Sequence, residues 1–290
     1  MKIILADHFG MCFGVRDAIA QAEDLAHKAP LTVLGELVHN PVVRQQLRAN
    51  GVAEGSLDQP RSTSHRVMIT AHGASDQKRE MWRRAGFDVV DGTCPLVHHA
   101  HEQLKRLVAA GYFPVVIGKR GHVEVRGLTE DFSQAAVIEV ATDIQRLPVR
   151  ARYGVISQTT QPIDHVRVLV SKIQRLRPNG EVRFVDTVCR PTKDRQLALR
   201  KLIAISDAIV VVGGHHSNNT RQLVETCSAA GKPAFHIEHA EELKQHWFGS
   251  NDVVGLTAGT STLPETVEAV QRRLEEISAN QSDKKVVPGG

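Results

Sequence analysis

Three of the four cysteines in this 290-residue chain recur at comparable places. Cys94 and Cys189 each follow an aspartate by three residues, Asp91 and Asp186, and Cys12 follows Asp7 by five. Each stands between a short apolar run and a stretch of helical periodicity. A polar residue then returns on schedule: His39 lies 27 residues past Cys12, His122 28 past Cys94, and Ser217 28 past Cys189. Each of these comes four residues after a glycine, Gly35, Gly118 or Gly213. Thiolates are ligands for soft metals, and one from each of three loops supplies three of the four ligands that a cubane iron–sulfur cluster usually takes. The remaining iron would be open to a substrate oxygen as a Lewis acid, with the cluster as electron source. Helices starting at the three cysteines would aim amides and positive dipole ends at one point, which lowers thiolate pKa and favours anions. Pro95 suits such a first turn. Cys227 sits inside a helical stretch with no counterpart elsewhere and reads as a packing residue.

A third landmark is a small, hydroxyl-rich turn after a strand: Thr70-Ala71-His72-Gly73, Ser157-Gln158-Thr159-Thr160 and Thr257-Ala258-Gly259-Thr260-Ser261. With His39, His122, Ser217 and Asn219, the residues His72, Thr159, Thr160 and Ser261 form a set of neutral or cationic donors suited to phosphate oxygens, and a diphosphate suits them better than a carboxylate. Glu124 is the acid at these turns, so it is the expected proton donor or relay. His98 and His99, on the helix after Cys94, read as helix-surface residues.

These residues need elements to position them. Apolar runs bounded by glycine and turn residues predict nine strands, at 3–6, 31–34, 66–70, 87–90, 114–117, 153–157, 182–185, 208–212 and 252–256, with amphipathic helices between. The expected fold is α/β: three pseudo-threefold-related parallel-sheet lobes, copies of one βαβαβα unit, around a central cluster. The expected bounds are 12–94, 95–185 and 186–275, with 1–11 supplying a strand that completes the third lobe. The polar stretch from 276 to 290 is expected to be disordered.

Composition narrows the class. Apolar residues make up 41% of the chain and charged residues 23%, enough for sizeable cores. No apolar run approaches the ~18 residues of a membrane span, and the first residues lack the marks of an export signal. Four scattered cysteines argue for a reducing, cytoplasmic setting over a disulfide framework. A net charge of +4 suits an anionic small molecule or an acidic protein partner, whereas dispersed cations and 4% aromatics argue against nucleic acid.

The motifs, taken in order, resemble the 4-hydroxy-3-methylbut-2-enyl diphosphate reductase (IspH/LytB) family of the non-mevalonate (MEP) isoprenoid pathway. They are Gly10–Val15, Val38-His39-Asn40, Ala71-His72-Gly73, Asp91–Val97, Gly121–Val125, Gln158-Thr159-Thr160, Cys189 with Arg195-Gln196, Ser217–Thr220 and Ala258–Ser261, spanning about residues 1 to 275. The resemblance implies an iron–sulfur oxidoreductase with a [4Fe-4S] cluster on Cys12, Cys94 and Cys189, whose open iron takes the substrate hydroxyl. Two electrons and two protons would then release water and form isopentenyl and dimethylallyl diphosphate. It also implies diphosphate contacts at His39, His72, His122, Ser217, Asn218, Asn219 and Ser261, with Thr159 and Glu124 serving the hydroxyl and the proton. The implied electron donor is a small acidic ferredoxin or flavodoxin. Val123, Arg190-Pro191 and Asn218 depart from the family pattern, which bears on the diphosphate contact at Asn218 and on the loop after Cys189. Alternatives are a quinolinate-synthase-like cluster enzyme, which would want a more basic pocket, an iron–sulfur redox sensor, and a structural zinc site, which would want close cysteine pairs.

Overall fold

The computed structural model describes residues 1–38, 40–249 and 252–283. Its strands form three four-stranded sheets, parallel throughout. The chain divides into two compact units, one of residues 14–37 and 44–193, the other of residues 1–13, 38–43 and 194–290.

The first unit holds two sheets. One has the order β3-β2-β4-β5, from β2 (Leu31–Leu34), β3 (Val52–Gly55), β4 (Arg66–Ile69) and β5 (Asp88–Asp91). The other repeats that order as β7-β6-β8-β9, from β6 (Phe113–Ile117), β7 (Ala136–Ile138), β8 (Arg152–Ser157) and β9 (Glu181–Phe184). Strand alternation explains why helices must cover both faces of this second sheet. Val115, Ile117, Tyr153 and Val155 pack with Val166, Leu169 and Ile173 of α6 (Ile163–Leu176). Val116 and Ile156 turn the other way, toward Leu104 and Leu107 of α4 (Pro95–Ala109). Each fully buried side chain of this size contributes about 1.5–3 kcal/mol of hydrophobic stabilisation.

The two lobes of this unit are stitched where α3 (Asp76–Arg84) meets α5 (Val123–Thr129) and the turn after it. Both Asp131 carboxylate oxygens accept α3 amides, from Asp76 at 2.7 Å and Gln77 at 3.0 Å. Arg126 pairs with Asp58 at 2.6 Å. Gly127 has no Cβ, which lets α5 rest on the backbone of Ala74; a Cβ there would stand 3.4 Å from Ala74 Cα.

In the other unit the sheet order is β1-β12-β10-β11, from β1 (Lys2–Leu5), β10 (Ala208–Val212), β11 (Ala234–Ile237) and β12 (Val253–Ala258). It is the same pattern with the chain's first strand in the fourth place. Val210, Val212 and Leu256 face Val267, Val270 and Leu274 of α9 (Pro264–Asp283). Ile209 and Val211 face Leu199 and Leu202 of α7 (Arg190–Ile205) and Leu223 of α8 (Asn218–Ala229).

Two expectations are corrected. All nine expected strands form, but each sheet has a fourth: β3, β7 and β11. These occupy the edge beside β2, β6 and β10, and edge strands of three or four half-exposed residues carry a weak apolar signature. The polar stretch from 276 is not irregular at its start, because α9 continues to Asp283. Ile277 is buried in the core, Ser278 Oγ donates to Met1 O at 3.0 Å and Gln281 Nε2 to Phe248 O at 2.8 Å. Residues 284–290 lie outside the described residues. Among those described, no helix is long and apolar enough to cross a membrane.

Candidate functional site

Every cysteine at a strand exit immediately precedes a helix: Cys12 before α1 (Phe13–Lys28), Cys94 before α4, and Cys189 before α7. All three are half-buried and none of the four cysteines is in a disulfide. In the first unit one local device shapes two of these loops. Asp91 Oδ1 accepts the Thr93 amide at 3.0 Å and Asp186 Oδ1 accepts the Val188 amide at 3.1 Å, an Asx turn ending one residue before each cysteine. Main-chain bonds then tie the cysteines to neighbouring strand exits, Cys94 N–H to Ala71 O at 3.1 Å and Cys189 N–H to Thr159 O at 2.9 Å. Cys94 Sγ lies against Gly14, where a Cβ would stand 2.6 Å from the sulfur. Cys189 Sγ stands 3.0 Å from Thr192 Oγ1.

Around these loops the same unit gathers His72, His122, Glu124, Thr159 and Thr160. His122 caps α5, its Nδ1 accepting the Glu124 amide at 3.2 Å, so the neutral ring carries its proton on Nε2. The His72 and His122 rings meet edge-on with centroids 5.6 Å apart. Glu124 is 1% exposed. Its Oε1 accepts the Thr159 amide at 2.6 Å. Burial outweighs that bond and the Thr159 hydroxyl, and pushes the carboxyl up to about 7. Gln158 builds the turn beneath: it accepts from Lys119 N–H at 3.0 Å and donates to Thr160 Oγ1 at 3.1 Å.

The helix after Cys94 carries His98, half-buried and 3.1 Å from Asp91, and His99, which is exposed. His101 is buried and pushed down to about 4, chiefly by that burial, so it is neutral. Burial pushes the Asp91 carboxyl up, but the Thr93 hydroxyl, the Arg79 charge and the Thr93 amide hold it below its ordinary value.

The other unit presents Ser217, Asn218, Asn219 and Ser261. Ser217 caps α8 by accepting the Thr220 amide at 3.3 Å. Asn219 Oδ1 accepts the Thr260 amide at 3.0 Å, which joins the α8 start to the Ser261 turn. Asn40 Nδ2 donates to Ser261 O at 2.7 Å while its Oδ1 caps α2 (Pro41–Ala49) through the Val42 amide at 2.9 Å. Asn218 Nδ2 is buried and has no hydrogen-bond partner among the described residues, the kind of donor an anion would satisfy. Before Cys12, Gly10 takes φ +66°, and its carbonyl accepts buried Arg195 Nη2 at 2.6 Å. His39 lies outside the described residues.

In chemistry the thiols suit an iron–sulfur group: Cys94 and Cys189 of the first unit are half-buried at helix starts, Cys94 against a glycine that leaves room for no side chain, and Cys12 of the other unit is likewise half-buried before a helix, while Cys227 is fully buried and pushed up to about 11. Among the described residues no group of three or more His, Cys, Asp or Glu could hold a single metal ion. Ligands of separate irons in one cluster need not meet that condition. The supporting polar residues Arg79 and Thr187 have no mark in the sequence beyond lying within a few residues of a motif. Thr187 Oγ1 nevertheless bonds both Ser157 N–H, at 2.9 Å, and Ser157 O, at 2.6 Å, and so fixes the strand exit that leads to Thr159.

Comparison with known proteins gives a consistent picture. A family model described as LytB protein matches residues 3–275. The chain is 35% identical over 280 residues to a protein of Trichlorobacter lovleyi named 4-hydroxy-3-methylbut-2-enyl diphosphate reductase, covering 96% of this chain and 99% of that one. Among solved structures, the E-1-hydroxy-2-methyl-but-2-enyl-4-diphosphate reductase from Plasmodium falciparum superposes with a TM-score of 0.86 at 28% identity, covering 93% of this chain and 87% of that one. Another, titled (E)-4-hydroxy-3-methyl-but-2-enyl diphosphate reductase, the terminal enzyme of the non-mevalonate pathway, is 34% identical with a TM-score of 0.69, covering 95% of this chain and 100% of that one.

Proposed function

The chain belongs to the LytB family, and from that premise we propose that it is a cytoplasmic iron–sulfur reductase removing the hydroxyl of 4-hydroxy-3-methylbut-2-enyl diphosphate. The products are isopentenyl and dimethylallyl diphosphate. Cys12, Cys94 and Cys189 hold a [4Fe-4S] group, which when bound supplies electrons and one iron open as a Lewis acid.

The observation that carries the reading is the buried, proton-holding Glu124 whose partner Thr159 also accepts from the amide of Cys189. In the overall change the carbon–oxygen bond breaks, two electrons enter the allylic fragment, one proton leaves with the hydroxyl as water and the other ends on carbon. Glu124 holds the first of these protons on Oε2, the carboxyl oxygen that does not accept the Thr159 amide. A carboxyl raised to about 7 is protonated in a useful fraction of molecules near neutrality and still gives up its proton readily.

The diphosphate is bound by His122, through Nε2–H, by His72 and His39, and by Ser217, Asn218, Asn219 and Ser261. Thr159 and Thr160 orient the hydroxyl end. A set of neutral donors leaves the substrate's own charge to be met by histidine protons and the N-terminal amides of α8, which favours a diphosphate over a neutral alcohol. Electrons arrive from a small acidic carrier of the ferredoxin or flavodoxin type, attracted by the chain's net charge of +4.

The test is anaerobic purification followed by visible and electron paramagnetic resonance spectra before and after adding the substrate. A brown protein whose cluster signal changes on addition, and which turns over with a reduced viologen, is the expected result. A colourless protein after anaerobic reconstitution would overturn the proposal.

A further inference from the structure

Arg79 lies on α3, outside every motif above, yet its side chain is almost wholly inside the protein; the residue is 8% exposed. All three guanidinium nitrogens are used. Nε donates to Ala74 O at 3.1 Å, Nη2 to Thr93 Oγ1 at 3.1 Å, and Nη1 pairs with Asp91 Oδ2. Ala74 directly follows the His72 turn, which the Gly73 amide closes on Thr70 O at 3.0 Å, and Thr93 with Asp91 shapes the Cys94 loop. The two segments also touch directly. Gly73, at φ +78°, packs so close that a Cβ there would stand 3.1 Å from Thr93 Cγ2, and Cys94 N–H reaches Ala71 O. Arg79 therefore bonds at once to the backbone of one functional turn and to the side chains that shape the other.

We propose that Arg79 is a positioning residue that couples anion binding at the His72 turn to the hold on Cys94. This rests on the reading above that His72 meets the diphosphate and Cys94 the cluster. Burying a guanidinium is costly unless its charge is paired and its donors are used, and here both conditions are met by groups from the two segments. A ligand that orders the His72 turn thereby favours the arrangement of Ala74, Arg79 and Asp91–Thr93 that fixes the Cys94 loop, and the coupling is reciprocal. Lysine offers a point charge and cannot serve three acceptors at these angles.

The experiment measures protection of Cys94 by inorganic diphosphate in two ways on the full chain: the rate of cluster bleaching under a chelator, and maleimide labelling of the iron-free chain read at the Cys94 peptide. In the native chain diphosphate should slow both at least about fivefold, the low end for coupled sites. In Arg79→Lys the protection should shrink below about twofold. In Arg79→Ala it should vanish and return on adding guanidinium ion. Arg84→Lys, an exposed arginine on the same helix, should keep it. Full protection in both Arg79 variants, with native secondary structure, overturns the coupling. Failure of the chain to take up iron would instead defeat the proposed function, and the labelling arm would still decide this point.

Discussion

Glu124 and Cys189 are joined through a single peptide segment: Thr159 gives its amide to the Glu124 carboxylate at 2.6 Å and accepts the Cys189 amide on its carbonyl at 2.9 Å. The acid is thus fixed relative to a thiol loop by two bonds to the Thr159 backbone. Because those bonds do not involve the Thr159 side chain, that position can be truncated while the frame is retained.

Glu124→Gln tests the acid with little change of shape, since the amide oxygen still accepts from Thr159. The variant should bind cluster and substrate as the native chain does and lose about 10²- to 10⁴-fold in kcat, the usual contribution of a general acid. Single-turnover kinetics with a reduced viologen would measure it, and a kcat within about threefold of native would remove Glu124 from the proton path.

The same carboxyl sets a pH dependence. With its pKa raised from 4.5 to about 7 in the folded chain, the native state binds a proton more tightly than the unfolded state across that interval. Stability therefore falls as pH rises from about 4.5 to about 7, by on the order of 3 kcal/mol, and stays lowered above it. Glu124→Gln carries no such penalty, so its melting temperature should exceed the native value at pH 8 and the gap should close by pH 5. Activity should decline through about 7 as the donor form is lost. A gap in melting temperature independent of pH would show that Glu124 does not titrate in this range.

The four cysteines should separate cleanly. Cys12→Ser, Cys94→Ser and Cys189→Ser are each expected to abolish cluster assembly, whereas Cys227→Ala should keep full iron and lose only packing, about 1–3 kcal/mol of stability. Iron per chain after anaerobic reconstitution decides it; iron loss in the Cys227 variant, or retention in any of the other three, would break the assignment.

Much of this was legible in the chain because the chemistry sits at strand exits, where type and spacing are both constrained. The aspartates three residues before Cys94 and Cys189 stand out as a repeat, and their reason is local: each closes an Asx turn with the residue before the cysteine. The edge strands β7 and β11 were hidden because half-exposed runs such as Ala136–Ile138 and Ala234–Ile237 bury too little to show a period. Arg79 was hidden for another reason. Within Asp76–Arg84 it is one of four cations, and nothing in helical spacing says which arginine will find a carboxylate and a carbonyl inside. The extension of α9 past Ser278 depends on partners at Met1 and Phe248, far away in sequence.

Asn218 is one of the residues expected to depart from the family pattern, and its Nδ2 is buried with no hydrogen-bond partner among the described residues. As a donor to the diphosphate it should act on binding alone. Asn218→Ala should raise KM about five- to tenfold, the value of roughly one hydrogen bond to a charged group, with kcat unchanged. Asn218→Ser should recover most of it, and an unchanged KM in the alanine variant would show that the amide does not meet the substrate.

Gly14 offers the most direct probe of the thiol pocket. Alanine is the better helix former by ~1 kcal/mol, so on α1 alone Gly14→Ala should stabilise. Its Cβ, however, would stand 2.6 Å from Cys94 Sγ and 3.3 Å from Cys94 Cβ, closer than unstrained atoms approach. Overpacking of this kind costs about 1–3 kcal/mol, more than the helical gain. The side chain that must yield is the expected ligand, so the loss should appear as reduced iron per chain together with a melting temperature lowered by a few degrees, at ~2–4 °C per kcal/mol for a chain of this size. A Gly14→Ala chain that melts higher than native and carries full iron would mean that Cys94 turns away from Gly14 when it takes up its ligand.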